Sequence, residues 1–258
     1  MAGRAIFKGV IRTGDVEVPV KLHSAIREER VHFHLLHEKD HVRLQQRMYC
    51  SKEHEPVDPS ERVRGYEVKK GQYVVLDPEE IKAARPETDR AMEILHFVDE
   101  GEIDPRLYDR PYYLSPDGEE KLYALLTRAL NETDRVGICR WAMRGKSYLG
   151  LLKILDDLLL LVTLRYAHEV VDTGSLDLEH PEVKKKELEM AGDLIDELTS
   201  DFDPSEYRDE HQQRLMELIE KKAKGEEPEV AEAEAREATR PSELQEKLEA
   251  SLEEARAG

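Results

Sequence analysis

Val16, Val18 and Val20 alternate with Glu17, Pro19 and Lys21, the period-two pattern of a strand with one apolar face. The preceding stretch, from Ala5, is dense in β-branched residues. Together, residues 5–23 predict two short strands about a turn at Thr13-Gly14-Asp15. Pro19 suggests an edge or a bulge in the second of them. Residues 31–37 (VHFHLLH) set Val31, Phe33 and Leu35 on one face and His32, His34 and Leu36 on the other, which predicts a third strand. Two extended runs, 42–49 and 73–76, then flank a polar, proline-containing loop and a turn at Lys69-Lys70-Gly71. Asp77 as N-cap, Pro78 at the first position and acids in the first turn predict a short helix ended by Pro86. Strands are expected at 91–98 and 111–114, with a loop or single turn at 102–108 between them. An amphipathic helix follows over about 118–133, with Leu122, Leu125, Leu126, Ala129 and Leu130 on its stripe. Three more strands are expected at 136–144, 147–155 and 158–166, with turns at Gly145-Lys146 and Asp156-Asp157. The last is apolar on both faces and belongs at the centre of the core.

Past about residue 175 the period changes. Residues 182–199 carry Leu188, Ala191, Leu194, Ile195 and Leu198 at helical spacing. Asp203-Pro204 opens a second helix over about 204–224, with Leu215, Leu218 and Ile219, stopped by Gly225. Residues 226–240 are acidic and Ala/Glu-rich without a large apolar stripe, and read as a flexible or loosely helical linker. Pro241-Ser242 then begins a last amphipathic helix with Leu244, Leu248 and Leu252 on one face. A short helix on such a linker is rarely stable alone, so it reads as a segment that folds against a partner, or else as a frayed end with chance periodicity.

Charge sharpens this division. The net charge is −18 over 258 residues, which argues against a generic nucleic-acid binder. Yet residues 1–75 carry 14 Lys/Arg against 11 Asp/Glu, a net of +3, while residues 176–258 carry 12 against 26, a net of −14. A basic N-terminal surface can therefore coexist with an acidic tail. Within the basic third, Arg43, Arg47, Arg62, Arg64, Lys69 and Lys70 recur along residues 42–76. If this stretch is strand, Arg43 and Arg47 share a face, as do Arg62 and Arg64. No apolar stripe broad enough to bury both faces accompanies them. A β-arm with one basic face and no core of its own needs a partner, and a polyanion suits it; a merely solvated charged face is the alternative.

Little catalytic chemistry is legible. There is no phosphate-cradling glycine loop, no G-x-S-x-G and no H-E-x-x-H, so no enzyme is nominated. Four histidines between 32 and 41, with Cys50 and His54 downstream, invite a metal site. Their spacing matches no strong zinc pattern, and polar strand-face histidines are the preferred reading; no cofactor or metal is expected. Cys50 and Cys139 suggest no disulfide framework, and a reducing cytosol is the default. Residues 1–20 lack an apolar segment and include Asp15 and Glu17, which argues against a secretory leader. The apolar run 158–164 is too short to span a bilayer. A soluble cytoplasmic protein, with no membrane partner, is expected.

Several stretches, in order and without large gaps over about residues 1–225, resemble bacterial Ku, the DNA-end-binding family of non-homologous end joining. They are FKGVIRTGDVEVPVKLHSA, VRGYEVKKGQYVVL, EIDPRLYDRPYYLSP, VGICRWAMRG and ELEMAGDLIDELTSDFDPSEYRDEHQQRLMELIEKKAKGEE. The resemblance implies an α+β fold: a β-barrel core over residues 1–175 with its arm at 42–76, a helical part at 176–225, the acidic linker at 226–240, and a terminal helix at 241–258. It implies a homodimer in which two arms close a ring around double-stranded DNA ends, placing the protein at the nucleoid. By position it nominates Arg43, Arg47, Arg62, Arg64 and Lys69 of the arm as phosphate contacts. Arg140, Arg144 and Lys146 are added, with Lys21 weaker because it could pack within the barrel rim. A ring that grips phosphates binds without regard to sequence and loses affinity with salt. The resemblance also implies recruitment of a multifunctional end-joining DNA ligase through the terminal helix, with Leu244, Leu248 and Leu252 as anchors. Relatives with a paired-cysteine metal motif near Cys50 keep a second cysteine that this chain lacks. The Lys-rich tail of many relatives is replaced by acidic sequence, so weaker non-specific DNA binding is expected. Two readings compete. A protein-interaction scaffold that has lost DNA binding draws support from the charge of −18, and a nuclease would need a carboxylate metal cluster that is not found.

Overall fold

The computed structural model describes residues 4–85, 90–179, 181–226 and 240–257. The chain divides into two compact units, Met1–Glu29 with His34–Ser175, and Arg30–Phe33 with Leu176–Gly258.

The first unit begins with β1 (Phe7–Thr13) and β2 (Val16–Ser24), joined across Gly14 at φ +57°, a left-handed turn position that suits glycine. A hairpin, β3 (Arg64–Lys69) and β4 (Gln72–Leu76), stands as a separate two-stranded sheet, followed by α1 (Pro78–Ala83). Then come β5 (Ala91–Val98), β6 (Tyr108–Pro116), α2 (Glu120–Thr133), β7 (Val136–Met143), β8 (Lys146–Leu155) and β9 (Leu158–Leu164). Seven strands close a barrel in the order β1-β2-β6-β9-β8-β7-β5. All neighbours are antiparallel except the closing seam, where β1 runs parallel to β5 in the register Val10↔Ala91, Ile11↔Met92, Arg12↔Glu93.

Every barrel strand contributes to one apolar cluster, which is therefore the barrel interior. Ile11, Val20, Leu22, Leu114, Leu159 and Leu161 lie in it at 1% exposure or less. Trp141 sits at its centre with Phe7, Tyr112 and Tyr148 around the indole. Helix α2 adds Tyr123 and Leu130, and the Tyr123 hydroxyl bonds twice. It donates to the Leu114 carbonyl at 2.6 Å and accepts the Leu159 N–H at 2.9 Å. A second cluster, with Val136, Ile138, Leu151, Leu160, Val162 and Leu164, uses the other face of β7, β8 and β9. Strand β9 is thus covered on both sides, as its unbroken apolar run requires. The Asp156-Asp157 pair is the β8–β9 turn, left-handed at both residues (φ +48° and +62°) as a two-residue hairpin demands.

Three expectations for the first unit need correction, and a fourth falls outside the described residues. Pro19 is not on an edge strand: β2 lies inside the closed barrel, and Pro19 stands one residue before the β2–β6 ladder begins at Val20↔Pro116. Residues 31–37 and 42–49 are not strands. They make only isolated bridges, Leu36↔Arg43 and Tyr49↔Pro56, because the chain reverses sharply at two polar knuckles described below. The segment 102–108 holds a 3-10 turn at Pro105–Leu107 and the start of β6. Pro86, expected to end α1, lies outside the described residues; α1 ends at Ala83 with Ala84 as its cap.

The second unit contains α3 (Lys185–Glu197), α4 (Glu210–Ala223) and α5 (Leu244–Ala257), with α5 packed against α3. The single helix expected from 204 to 224 is interrupted. Asp203 accepts the Ser205 N–H and caps one 3-10 turn, Pro204–Glu206. Asp209 then accepts the Gln212 N–H and starts α4 afresh, and Gly225 ends it at φ +82°. The expected linker, residues 226–240, falls outside the described residues over 227–239. Among the described residues no helix is long and apolar enough to cross a membrane.

Candidate nucleic-acid interface

From residue 26 to residue 85 no residue is buried, and only Val31, Cys50, Val57 and Ile81 are half-buried. This segment nevertheless holds large apolar side chains. Within β3 and β4, Tyr66, Val68, Tyr73, Val74 and Val75 are all exposed, between 48% and 68%. The β3–β4 register sets Tyr66 opposite Val74 and Arg64 opposite Leu76, so these four share one face of a hairpin with no layer over it. An isolated two-stranded hairpin is marginal in water, and these apolar faces call for cover.

Before the hairpin the arm is built from two knuckles of the same design. His37 N–H donates to the Val42 carbonyl, His41 N–H to His37 and Leu44 N–H to Leu35, at 2.8–2.9 Å, with His41 left-handed at φ +55°. The same three bonds recur from Cys50 N–H to Glu55, His54 N–H to Cys50 and Val57 N–H to Met48, with His54 at φ +54°. Asp40 steadies the first by accepting from His37 Nδ1, 2.9 Å away, or from the Val42 N–H at 3.2 Å. These reversals consume the runs that period-two reading assigns to strands. Among the described residues, no three His, Cys, Asp or Glu side chains come together to hold a metal ion.

The nominated cations fall into two groups. Arg43, Arg47, Arg64, Lys69, Arg144 and Lys146 make no ion pair among the described residues. Arg47 and Arg62 line one hollow of about 330 Å³ together with Asp58, although no strand aligns them. Arg62 spends one arm of its guanidinium on the Val57 carbonyl, 2.8 Å away, and so pins the second knuckle. The carboxyl of Asp58 is held below its usual range, first by hydrogen bonds from Ser60 and then by Arg62. Lys69 stands at the β3–β4 turn, where Gly71, at φ +78°, donates its N–H to Glu67 at 2.8 Å.

The remaining two are ion-paired on the outer face of the barrel. Lys21 reaches Asp117 at 2.8 Å, and Lys8 reaches the same carboxylate at 2.9 Å. Hydrogen bonds from Lys21, then Lys8, hold the Asp117 carboxyl below its ordinary value. Arg140 pairs with Glu93 across the β7–β5 ladder at 3.1 Å.

One residue that pattern reading passes over belongs with the β7–β8 turn. Arg85, just beyond α1, lays its side chain against Gly145, whose absent Cβ would stand 3.0 Å from Arg85 Cδ. Arg85, Arg144 and Lys146 thus gather at one turn, where Arg144 and Gly145 are both left-handed (φ +52° and +77°). Nothing local in the sequence signals this: the two segments are 60 residues apart and meet only through the fold.

The three leucines expected to anchor a partner are not equally available. Leu244 is exposed at 37%, Leu248 is half-buried and Leu252 is buried at 8%.

Comparison with known proteins agrees with this architecture. The family model described as the Ku70/Ku80 beta-barrel domain matches residues 12–190. Non-homologous end joining protein Ku 2 of Geotalea uraniireducens is 47% identical over 226 residues, covering 88% of each chain. Non-homologous end joining protein Ku of Mycobacterium tuberculosis is 37% identical, covering 96% of this chain and 94% of its own. That of Solibacter usitatus is 38% identical, covering 85% and 83%. With the matched model spanning most of the barrel and relatives aligned along nearly the whole length, the chain belongs to the Ku family.

Proposed function

We propose that two copies of this chain meet through their arms to close a ring around the end of a DNA duplex, in the service of non-homologous end joining. The ring grips phosphates without reading sequence and recruits a multifunctional end-joining ligase through α5. The observation that carries this reading is the arm itself. It lies within a stretch, residues 26–85, that has nothing buried, and its exposed apolar faces and unpaired cations suit completion by other molecules. Its apolar faces suit a second copy, and its cations suit a polyanion.

The cations would contact phosphate oxygens, which fix register on a duplex but carry no sequence information. Arg43, Arg47, Arg64 and Lys69 in the arm, with Arg144 and Lys146 at the β7–β8 turn, are the primary contacts; Arg62 adds what its bond to Val57 leaves free. Lys21 and Arg140 contribute less, because each already has a carboxylate partner. Exposed pairs of that kind are worth about 0–1 kcal/mol, so a phosphate can displace the carboxylate at modest cost. A closed ring loads only where the duplex ends, so topology rather than base contact supplies specificity. The relatives' names place them in end joining, which is the process this reading assigns here.

Trapping tests the reading. A duplex with biotin at both ends is incubated with the protein, capped with streptavidin and challenged with high salt. Threaded rings stay on DNA capped after loading and never load on DNA capped beforehand. Equal retention in the two orders would reject threading. Absence of binding even at low salt would favour a scaffold without DNA binding, the reading that the net charge of −18 supports.

A further inference from the structure

The leucine face of α5 is already in use within its own unit. Leu252 is buried and Leu248 half-buried, while Leu244 at the helix start stays exposed. The helix that α5 packs against is α3. On α3 the half-buried residues are Glu187, Met190, Ala191 and Leu194, at the i, i+3, i+4, i+7 spacing of a single helix face. Two ion pairs tie the helices together, Lys186 to Glu249 at 3.7 Å and Glu197 to Arg256 at 4.0 Å. The pairs run in the same chain order on both helices, so α3 and α5 lie parallel, with a tether near each end of α3.

We propose that α3 is a clamp for α5 in cis: each copy masks its own recruiting helix, and the ligase must take α5 away from α3. The proposal rests on the reading of α5 as the recruiting helix. Its logic is one of exclusion, since a single leucine stripe cannot lie on α3 and in a partner's groove at once. The partner's apparent affinity is then reduced by the fraction of time that α5 is free. The clamp is weak enough to open. It buries one leucine fully, which biases the closed state by about tenfold, and its ion pairs are exposed and add little. Leu244, outside the clamp, offers a partner its first contact.

The test uses the full chain. Hydrogen exchange of the α5 amides is compared between the wild type and Leu194→Asp, which alters the clamp and leaves α5 unchanged. Binding of each protein to the purified end-joining ligase of the source organism is measured alongside. The clamp predicts α5 exchange about tenfold faster in Leu194→Asp, ligase binding about tenfold tighter, and unchanged exchange in the barrel strands. A second variant, Lys186→Glu with Glu197→Lys, reverses both tethers on exposed side chains, does not endanger folding, and shifts both readings the same way by less. Equal α5 exchange in wild type and Leu194→Asp would overturn the clamp. So would faster exchange with no gain in ligase binding, because α5 would then not need to leave α3. If the ligase binds no variant at all, the recruiting role fails; exchange alone then decides whether α3 holds α5, upheld by loss of protection in Leu194→Asp and overturned by no change.

Discussion

The division of the cations into paired and unpaired groups can be read out as a salt dependence. Each phosphate contact releases counterions and adds about 0.9 to the negative slope of log affinity against log salt. Between 50 and 200 mM salt that is about 3.5-fold in affinity per contact. Arg64 has no carboxylate partner, and the proposed homodimer carries it twice. Arg64→Ala therefore lowers the slope by about 1.8, and it shrinks the affinity lost over that salt range by about twelvefold. Adding Lys69→Ala doubles the effect on the slope. Arg140 is the internal comparison: Glu93, 3.1 Å away, competes with phosphate for it, and Arg140→Ala lowers the slope by less than Arg64→Ala. Fluorescence anisotropy of a labelled short duplex, titrated at four or five salt concentrations, gives each slope. The reasoning is refuted if Arg64→Ala leaves the slope intact, or if Arg140→Ala lowers it by as much.

Three further outcomes follow from the geometry. Tyr123→Phe leaves the buried Leu114 carbonyl and Leu159 N–H without their bridge, and is expected to cost about 2–4 kcal/mol in urea unfolding; a change below about 0.5 kcal/mol would mean water replaces the hydroxyl. Burial pushes the Cys139 thiol up to about 12. Because the folded value exceeds the unfolded one of about 8.5, its stabilising effect is complete below about pH 8.5 and is lost as pH rises towards 12. Stability should fall in that window by up to about 1.4 kcal/mol per pH unit, a component that Cys139→Ala removes. Val74→Asp places a charge on the uncovered face of the β3–β4 hairpin, and sedimentation should show the proposed arm-to-arm dimer becoming a monomer with barrel stability intact. A variant that stays dimeric would move the interface off that face.

The barrel was largely legible in the sequence because its strands alternate or run apolar for local reasons. Val18, Val20 and Leu22 point inward at period two, and the run 158–164 is covered on both faces as its composition requires. Capping chemistry likewise located α1, where Glu80 accepts the Asp77 N–H at 2.8 Å. The arm was harder. Residues 31–37 and 42–49 have strand-like alternation, but each ends in a knuckle whose left-handed histidine, His41 or His54, carries no local signal as strong as glycine. Strand parity therefore does not carry the pairing of Arg43 with Arg47, since residues 42–49 form no strand, while the fold itself brings Arg47 beside Arg62. Closure of the barrel was also hidden: a β1–β5 seam across about 80 residues leaves no trace in local pattern. The same holds for Arg85 at the β7–β8 turn and for α5 on α3, since both contacts depend on which segments meet rather than on what each prefers alone.

In the proposed ring, the protein holds DNA ends and not DNA sides. One labelled linear duplex is bound and then challenged with excess unlabelled DNA of the same sequence, either linear or covalently closed, at two salt concentrations. A ring predicts that linear competitor displaces the label while closed circle does not, at both salts. Equal competition by circle and linear DNA would contradict the ring and leave a protein that grips the side of the duplex.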